Sequence, residues 1–152
     1  MSTLVSNQDD RQVKTLKELR AADLMQSHVY TVQETDTLLH AARQMSEYNI
    51  RHVIVVDDQQ RPVGVFSERD MLRYIASCTA RKEVVPGSVP VSKIMTPSPV
   101  TVSPSTSLQE LASLLAARRI GCVPVVNSDS KLVGIISIVD VLEAVGKSAA
   151  LS

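Results

Sequence analysis

The chain has 152 residues and no formal net charge, because 16 basic side chains balance 16 acidic ones. With 44% hydrophobic residues, it can bury one good core or two small cores that share an interface. Because the net charge is zero, the composition indicates no basic surface for a polyanion. Because aromatic residues make up only 3% of the chain, few side chains are available to stack on bases. The composition therefore argues against nucleic acid as a partner.

The sequence carries no signal for a membrane or for an oxidising compartment. No stretch approaches the ~20 apolar residues that cross a bilayer, and the polar start lacks the order of a signal peptide. Cys78 and Cys122 belong to no Cys-x-x-Cys pair. We expect both to be reduced thiols that pack as small hydrophobic groups. These features predict a soluble, cytoplasmic protein that does not bind membranes.

Residues 1–20 are predicted to form an N-terminal tail and a helix. Val13, Leu16, Leu19 and Leu24 recur at roughly helical spacing among charged residues. An amphipathic helix of this kind would cap a core or dock on a partner, and the sequence favours the capping role.

Residues 21–78 are predicted to form a first domain, in the order strand, helix, strand, strand, helix. A short apolar piece gives the first strand, helix-start residues precede the first helix, and a β-branched run and its neighbour form a hairpin. The corresponding segments are residues 29–32, 35–45, 50–56, 62–66 and 71–75.

The remaining chain replays this order. Residues 79–91 have the Pro, Gly and charged composition of a linker, residues 92–146 form a second domain whose first strand is predicted at 100–102, and 147–152 form a C-terminal tail. Residues 25–72 align with 95–142 at a constant offset of 70 without a gap, and 14 of the 48 positions are identical. Composition alone predicts about 3. The chain is therefore a tandem duplication, here called repeat one and repeat two.

Each repeat of about 60 residues is marginal by itself and should expose one apolar sheet face. We therefore expect an α/β (α+β) protein in which two tandem β-α-β-β-α domains pack by their sheets with pseudo-twofold symmetry. A site formed where the repeats meet should exist in two related versions.

The candidate chemistry lies at the junction between the second hairpin strand and the last helix of each repeat. A glycine inside the strand favours close approach by another backbone or a ligand. A serine follows at the strand end, where free helix amides attract anions, and an aspartate three residues later could accept hydrogen bonds from two sugar hydroxyls. The residues are Gly64, Ser67 and Asp70 in repeat one, and Gly134, Ser137 and Asp140 in repeat two.

The same spacing has a purely structural explanation. Ser-x-x-Asp is close to a capping box, in which the serine caps the helix and the acid reaches back to the serine amide. Ser107 and Glu110 have this spacing without a preceding strand glycine. Capping requires no glycine, whereas a strand glycine favours close approach of a ligand, so both interpretations remain open.

Taken together, these residues resemble a known family. The doubled Gly-x-x-Ser-x-x-Asp, the tandem β-α-β-β-α units, and the similar segments at 23–25 and 93–97 look like a pair of cystathionine-β-synthase (CBS) domains, or Bateman module. The resemblance covers about residues 18–146. It implies adenine-containing ligands in clefts between the domains, with Asp70 or Asp140 at the ribose and Ser67 or Ser137 near phosphate.

The resemblance also implies the remaining site residues. Arg51 and His52 become the phosphate candidates, with Arg69 behind them, and the adenine would rest against residues 27–31 and 97–101, which include Thr31, Pro97 and Thr101. Repeat two departs from this pattern, because Gly121-Cys122 replaces Arg51-His52 and Val139 replaces Arg69. Arg118 and Arg119 could compensate, although such residues at a helix end are commonly solvated. We expect one stronger site and one weaker or empty one.

The resemblance leads to a stand-alone regulatory module that senses cellular energy by binding an adenine nucleotide of the AMP, ADP or ATP class. It would signal through a changed domain or dimer arrangement, as a homodimer, to a regulated protein that the sequence does not identify. We expect no enzymatic activity and no required cofactor. We also expect no metal, since His28, His40 and His52 lack zinc-like spacing. Two alternatives stay open: a ligand-free scaffolding dimer, or the same cleft binding S-adenosylmethionine, NAD(H) or cyclic di-AMP.

Overall fold

A computed structural model describes residues 14–148, which form two successive units of strands and helices. In the first half of the chain the elements are α1 (Ala21–Leu24), β1 (Thr31–Gln33), α2 (Leu38–Glu47), β2 (His52–Val56), β3 (Pro62–Ser67) and α3 (Glu68–Ala80). After a 3-10 turn at Val91–Lys93 come β4 (Thr96–Pro97), α4 (Leu108–Arg118), β5 (Cys122–Val126), β6 (Leu132–Ser137) and α5 (Ile138–Lys147). The predicted order is confirmed, with one difference in repeat two.

The two sheets share one plan. In the first sheet the strand order is β1-β2-β3-β4, with β1 parallel to β2 and the other pairs antiparallel. The second sheet consists of the antiparallel pair β5-β6. His52 pairs with Ser67 and Cys122 pairs with Ser137, so the hairpins keep the same register.

The first strand of repeat two, predicted at residues 100–102, is reduced to a single bridge between Val102 and Val125. The cause lies in the neighbouring strand. In repeat one the amide of Ile54 donates to the carbonyl of Tyr30, which helps to hold β1 on β2. Residue 124 occupies the equivalent position and is proline, which has no amide hydrogen to donate. The strand next to it is therefore held only around Val102.

Each hydrophobic core is completed by the chain that precedes the other repeat. We call residues 19–26 the first leading segment and residues 89–96 the second. Ala21 and Leu24 are buried in the core of repeat two with Leu111 and Ile136. The core of repeat one is closed in turn by the second leading segment, through Val91 and the partly buried Val89, Ile94 and Met95.

Backbone hydrogen bonds also connect each leading segment to the opposite repeat. The amide of Leu38 donates to Val89 and the amide of Leu108 donates to Leu19, a pair of bonds related by the offset of 70. The first leading segment also exchanges two bonds with β6, since Gln26 and Ile135 each donate to the other's carbonyl. Because neither core is complete without the other repeat, the pair is the cooperative folding unit.

Both faces of the central strands are buried, as expected for sheets that pack together. Val53 and Val55 belong to the core beneath the helices of repeat one. Ile54 and Val56 alternate onto the opposite sheet face and are also fully buried. The mixed α/β fold with two packed repeats is therefore confirmed.

From residue 14 onward, the predicted N-terminal helix is not continuous. Residues 16–18 form a turn, and the four-residue α1 begins at Ala21. Leu16 and Leu19 nevertheless pack against the core of repeat two, which is the capping role that the sequence favours. Val13 and the rest of 1–13 lie outside the described residues, as do residues 149–152 of the C-terminal tail.

Candidate functional site

Both Ser-x-x-Asp motifs form complete capping boxes. The Ser67 hydroxyl accepts from the amide of Asp70, and Oδ2 of Asp70 accepts from the Ser67 amide and hydroxyl, both at 2.9 Å. Ser137 and Asp140 repeat this arrangement at α5. The structural interpretation is therefore confirmed for both motifs, and it occupies the serine hydroxyls and one carboxylate oxygen.

The second oxygen of each aspartate faces the leading segment of the opposite repeat. Oδ1 of Asp70 accepts a hydrogen bond from the hydroxyl of Thr96 at 3.0 Å. Oδ1 of Asp140 accepts from the side-chain amide of Gln26 at 3.2 Å. Gln26 and Thr96 are themselves equivalent under the offset of 70. Each aspartate thus lies where the two repeats meet, as the duplication predicts.

Burial distinguishes the two aspartates. Asp70 is only 7% exposed and is the one buried charged residue among residues 14–148, whereas Asp140 is partly exposed. The guanidinium of Arg73 lies 3.8 Å from Oδ1 of Asp70. Oδ1 of Asp70 therefore faces both a hydrogen-bond donor and a cation.

A methionine side chain, not a ligand, lies close to each strand glycine. A Cβ atom on Gly64 would meet the sulfur of Met95 and lie 2.9 Å from its Cγ. On Gly134 it would lie 3.0 Å from Cγ of Met25, the equivalent methionine. The close approach that each glycine predicts is therefore made by a side chain of the opposite leading segment.

Arg51 and Arg69, two of the phosphate candidates of repeat one, act electrostatically on the third, His52. Burial is the main cause that lowers the pKa of His52 below its usual 6.5. The carboxylates of Glu68 and Asp70 oppose this shift, whereas the guanidinium groups of Arg51 and Arg69 add to it. These charges therefore lie within electrostatic reach of the imidazole. Arg51 is highly exposed, and its Nε lies 4.0 Å from Oε1 of Glu68, so it has a weak ion pair to give up.

The equivalent positions of repeat two lack the cations of Arg51 and Arg69. Gly121 stands where repeat one has Arg51, and a Cβ atom there would lie 3.3 Å from Nε2 of His52. His52 thus reaches across to repeat two. Cys122 is buried, which raises the pKa of its thiol to about 12, and Val139 replaces Arg69. Arg118 and Arg119 are exposed at the end of α4.

The three named adenine candidates, Thr31, Pro97 and Thr101, follow the leading segments along the chain. Pro97 is in β4, next to Thr96, and pairs with Gly64. The region around Pro97, Thr96 and Asp70, where the sequence predicts the repeat-one cleft, is called the Asp70 cleft. Thr101 is exposed, four residues further along the chain. Thr31 lies in β1 and pairs with Ile54, five residues beyond Gln26.

Four residues with a place in the two sites were missed by sequence reasoning: Gln26, Thr96, Arg73 and Glu143. Arg73 follows Asp70 by three residues, and Glu143 follows Asp140 by three. The signal was available, because extending the offset of 70 by one residue beyond the aligned range pairs this cation with an anion. Glu143 also lines a cavity of about 370 Å³ next to Asp140.

Other kinds of site find no support in the part of the chain that the structure describes. Between residues 14 and 148 no group of three or more His, Cys, Asp or Glu could hold a metal ion. None of the helices in that range is long and apolar enough to cross a membrane. Cys78 and Cys122 are free and buried, as expected for thiols that pack as hydrophobic groups.

Comparison with known proteins identifies both repeats. The model of the CBS domain family matches residues 21–77 and again 91–147. A 17.7 kDa protein of Acidianus ambivalens without an assigned function is 28% identical over 125 residues, which are 82% of this chain and 72% of that protein. Across the first three curated relatives, the chain spans from 72% down to 32% of their own length.

Solved structures show the same fold. The structure of CBSX2 in complex with AMP is 29% identical, has a TM-score of 0.71 and covers 82% of this chain and 94% of that one. The cytosolic domain of the Mg²⁺ channel MgtE in complex with ATP is 30% identical with a TM-score of 0.70, and the match covers 84% of this chain and 49% of that one.

Proposed function

The chain belongs to the CBS domain family, with the domain present twice, and on this premise we propose that it is a regulatory module that binds an adenine nucleotide in the Asp70 cleft. The observation that carries the proposal is the arrangement around Asp70. The buried carboxylate of Asp70 lies beside the guanidinium group of Arg73, and the charges of Arg51 and Arg69 act on His52, as that of Asp70 does. Two similar proteins, CBSX2 and MgtE, have been solved with AMP and ATP.

The chemistry of this cleft fits a phosphorylated nucleoside. Oδ1 of Asp70 has a free lone pair beyond its bond to Thr96, so it can accept from a sugar hydroxyl. Arginine is suited to phosphate because its planar fork donates two parallel hydrogen bonds. Arg51 and Arg69 are exposed and could turn toward a phosphate at little cost. Pro97 and the residues after it would border the adenine.

A nucleotide in this cleft would contact both repeats, because Asp70 belongs to repeat one and Thr96 to repeat two. It would stabilise the relative arrangement of the repeats that best fits it. The shift is limited by the difference in affinity between the two arrangements. The module is proposed to act by binding, and a partner protein that senses this arrangement would receive the signal.

The proposed form is a homodimer, and the exposed apolar side chains of α3 and α5 are the surfaces that a second copy would cover. Leu72 and its equivalent Leu142 are 64% and 63% exposed, and Ile138 and Val139 lie on the same helix as Leu142. Leu142→Lys should convert the dimer to a monomer in light scattering after size exclusion. Val84→Lys, at a linker residue that is 90% exposed, is the matched control and should leave the mass unchanged.

Thermal unfolding with a panel of ligands tests the nucleotide proposal. The panel contains AMP, ADP, ATP, NAD, S-adenosylmethionine and cyclic di-AMP, on the wild type and on Asp70→Asn. A nucleotide at ~100 times its dissociation constant should stabilise the wild type by about 2.7 kcal/mol and the variant by much less. If no ligand stabilises the wild type, the proposal fails and a scaffolding role is favoured, since the capping boxes satisfy both aspartates without a ligand.

A further inference from the structure

A groove in repeat two lies apart from the residues assigned to the nucleotide. It runs between α4, α5 and residues 16–20, and its volume is about 500 Å³, in the range of small-molecule sites. Neither Asp70 nor Asp140 lines it. We call it the α4–α5 groove.

The floor of the α4–α5 groove is apolar. Leu108 is 7% exposed and belongs to the core of repeat two, against which Leu16 and Val141 pack. Val145 is partly buried, and Ala112 is exposed. An apolar group that lies on these side chains would extend the core and lose contact with water, which favours its binding.

The charged part of the lining is positive. Lys17 and Arg20 line the groove and are exposed, and none of its lining residues between positions 14 and 148 is acidic. The charge of Arg20 also acts on Asp23, but that carboxylate already accepts a hydrogen bond of 2.8 Å from Lys14. An anionic group in the groove would therefore meet two cations and no like charge in the lining.

The tandem duplication relates this groove to the linker of repeat one. Residues 16–20 correspond to residues 86–90 at the offset of 70. The bridge between Arg20 and Ser107 in repeat two is matched by the bridge between Pro90 and Thr37 in repeat one. The two segments therefore enter the starts of α4 and α2 in the same way.

Before these bridges the two chain paths differ. In repeat one the carbonyl of Gly87 accepts from the amide of Leu39, and a Cβ atom on Gly87 would lie 3.4 Å from Cβ of Leu39. The linker therefore lies against the first turn of α2. The equivalent carbonyl in repeat two, that of Lys17, accepts instead from the guanidinium of Arg20 at 3.4 Å. The corresponding place beside α4 is left as the groove, and both cations are particular to repeat two.

We propose that the α4–α5 groove binds an aliphatic carboxylate, a straight hydrocarbon chain with one carboxylate at its end. The chain would pack on Leu108, Val141 and Val145, and the carboxylate would face Lys17 and Arg20. Nine residues of the described chain line the groove, fewer than the about 20–30 residues a side of a stable protein interface, which favours a small ligand. The inference does not depend on the proposed function, because the groove shares no residue with the Asp70 cleft.

Calorimetric titration with octanoate, octyltrimethylammonium and acetate tests the proposal. The second probe has the same chain with the opposite charge, and the third has the carboxylate without the chain. Lys17→Glu reverses a charge of the groove, and Ala112→Met fills part of it. Lys131→Glu, between β5 and β6, and Ala117→Met, on α4 outside the lining, make the same changes at exposed residues and are the controls. Circular dichroism confirms that each variant is folded.

We expect the wild type to bind one octanoate per chain and the other two probes at least about tenfold more weakly. Lys17→Glu and Ala112→Met should each weaken octanoate about tenfold or more, and the controls should bind it as the wild type does. The inference is overturned if octanoate does not bind, if octyltrimethylammonium binds as tightly, or if both groove variants keep the affinity for octanoate. A changed oligomeric mass of Ala112→Met in light scattering, with no binding of octanoate, would overturn it in favour of a second copy in the groove.

Discussion

The hydroxyl of Thr96 donates a hydrogen bond of 3.0 Å to Oδ1 of Asp70, across the boundary between the two repeats. The other oxygen of the same carboxylate closes the capping box of α3. One buried side chain therefore connects the start of a helix in repeat one to the leading segment of repeat two. Because Thr96 also lies in β4 of the first sheet, this contact helps to hold the second leading segment on repeat one.

Thr96→Val removes this donor while it keeps the shape of the side chain. Hydrogen bonds to charged groups contribute about 1.5–3 kcal/mol, so we expect a loss of that order in the free energy of unfolding, measured with urea. Thr96→Ser retains the hydroxyl and should recover most of the stability. A valine variant as stable as the wild type would show that the bond contributes nothing to holding the repeats together.

Gly134 and Gly146 offer a matched pair of substitutions to alanine. At Gly134 the new Cβ would lie 2.5 Å from the sulfur and 3.0 Å from Cγ of Met25, so the Met25 side chain must shift, and we expect a loss of about 1–3 kcal/mol. At Gly146, on the exposed face of α5, a Cβ meets nothing within 4 Å. Alanine there should gain about 0.5–1 kcal/mol, because glycine disfavours a helix interior. Equal effects at the two positions in thermal unfolding would contradict the packing described for Met25.

His52 makes stability depend on pH in a defined direction. Burial holds the pKa of His52 below its usual 6.5 in the folded chain, so the unfolded chain binds more protons as the pH falls through 6.5. Stability is therefore fully present above pH 6.5 and declines below it, until the folded pKa is reached. Asp23 and Asp57 act only in a lower window, since their pKa values are lowered from 3.8.

Urea unfolding between pH 7.5 and pH 5 measures this slope. His52→Gln should flatten it, because the glutamine cannot take up the proton. Circular dichroism at pH 7.5 confirms that the variant is folded before its slope is compared with that of the wild type. An unchanged slope in the His52 variant would assign the acid sensitivity to other groups.

Most of the fold could be predicted from the tandem repeat. The offset of 70 and the apolar periodicities predict the helices and strands, because these depend on local residues and on which face is buried. The exchange of leading segments could not be seen, since Met25 and Gly134 are more than a hundred residues apart and nothing local couples them. The missing strand of repeat two was within reach, because Pro124 stands at the position of Ile54 and cannot donate to a neighbour.

The candidate site was predicted in part. Serine and aspartate do meet at both helix starts, but the sequence could not decide whether their bonds serve a cap or a ligand. The second oxygen of Asp70 is turned to Thr96 by tertiary packing, which spacing alone does not reveal. Arg73 and Glu143 lie one residue beyond the aligned range, and only the structure shows that the guanidinium of Arg73 lies 3.8 Å from Oδ1 of Asp70.

The central claim is that Asp70 holds an adenine nucleotide, and calorimetric titration of AMP tests it most directly. The wild type, Asp70→Asn and Asp140→Asn form the set, because the two asparagine variants alter equivalent carboxylates at equivalent capping boxes. The account predicts one AMP per chain for the wild type and for Asp140→Asn, with binding weakened at least about tenfold in Asp70→Asn. Undiminished binding of AMP to Asp70→Asn would contradict it.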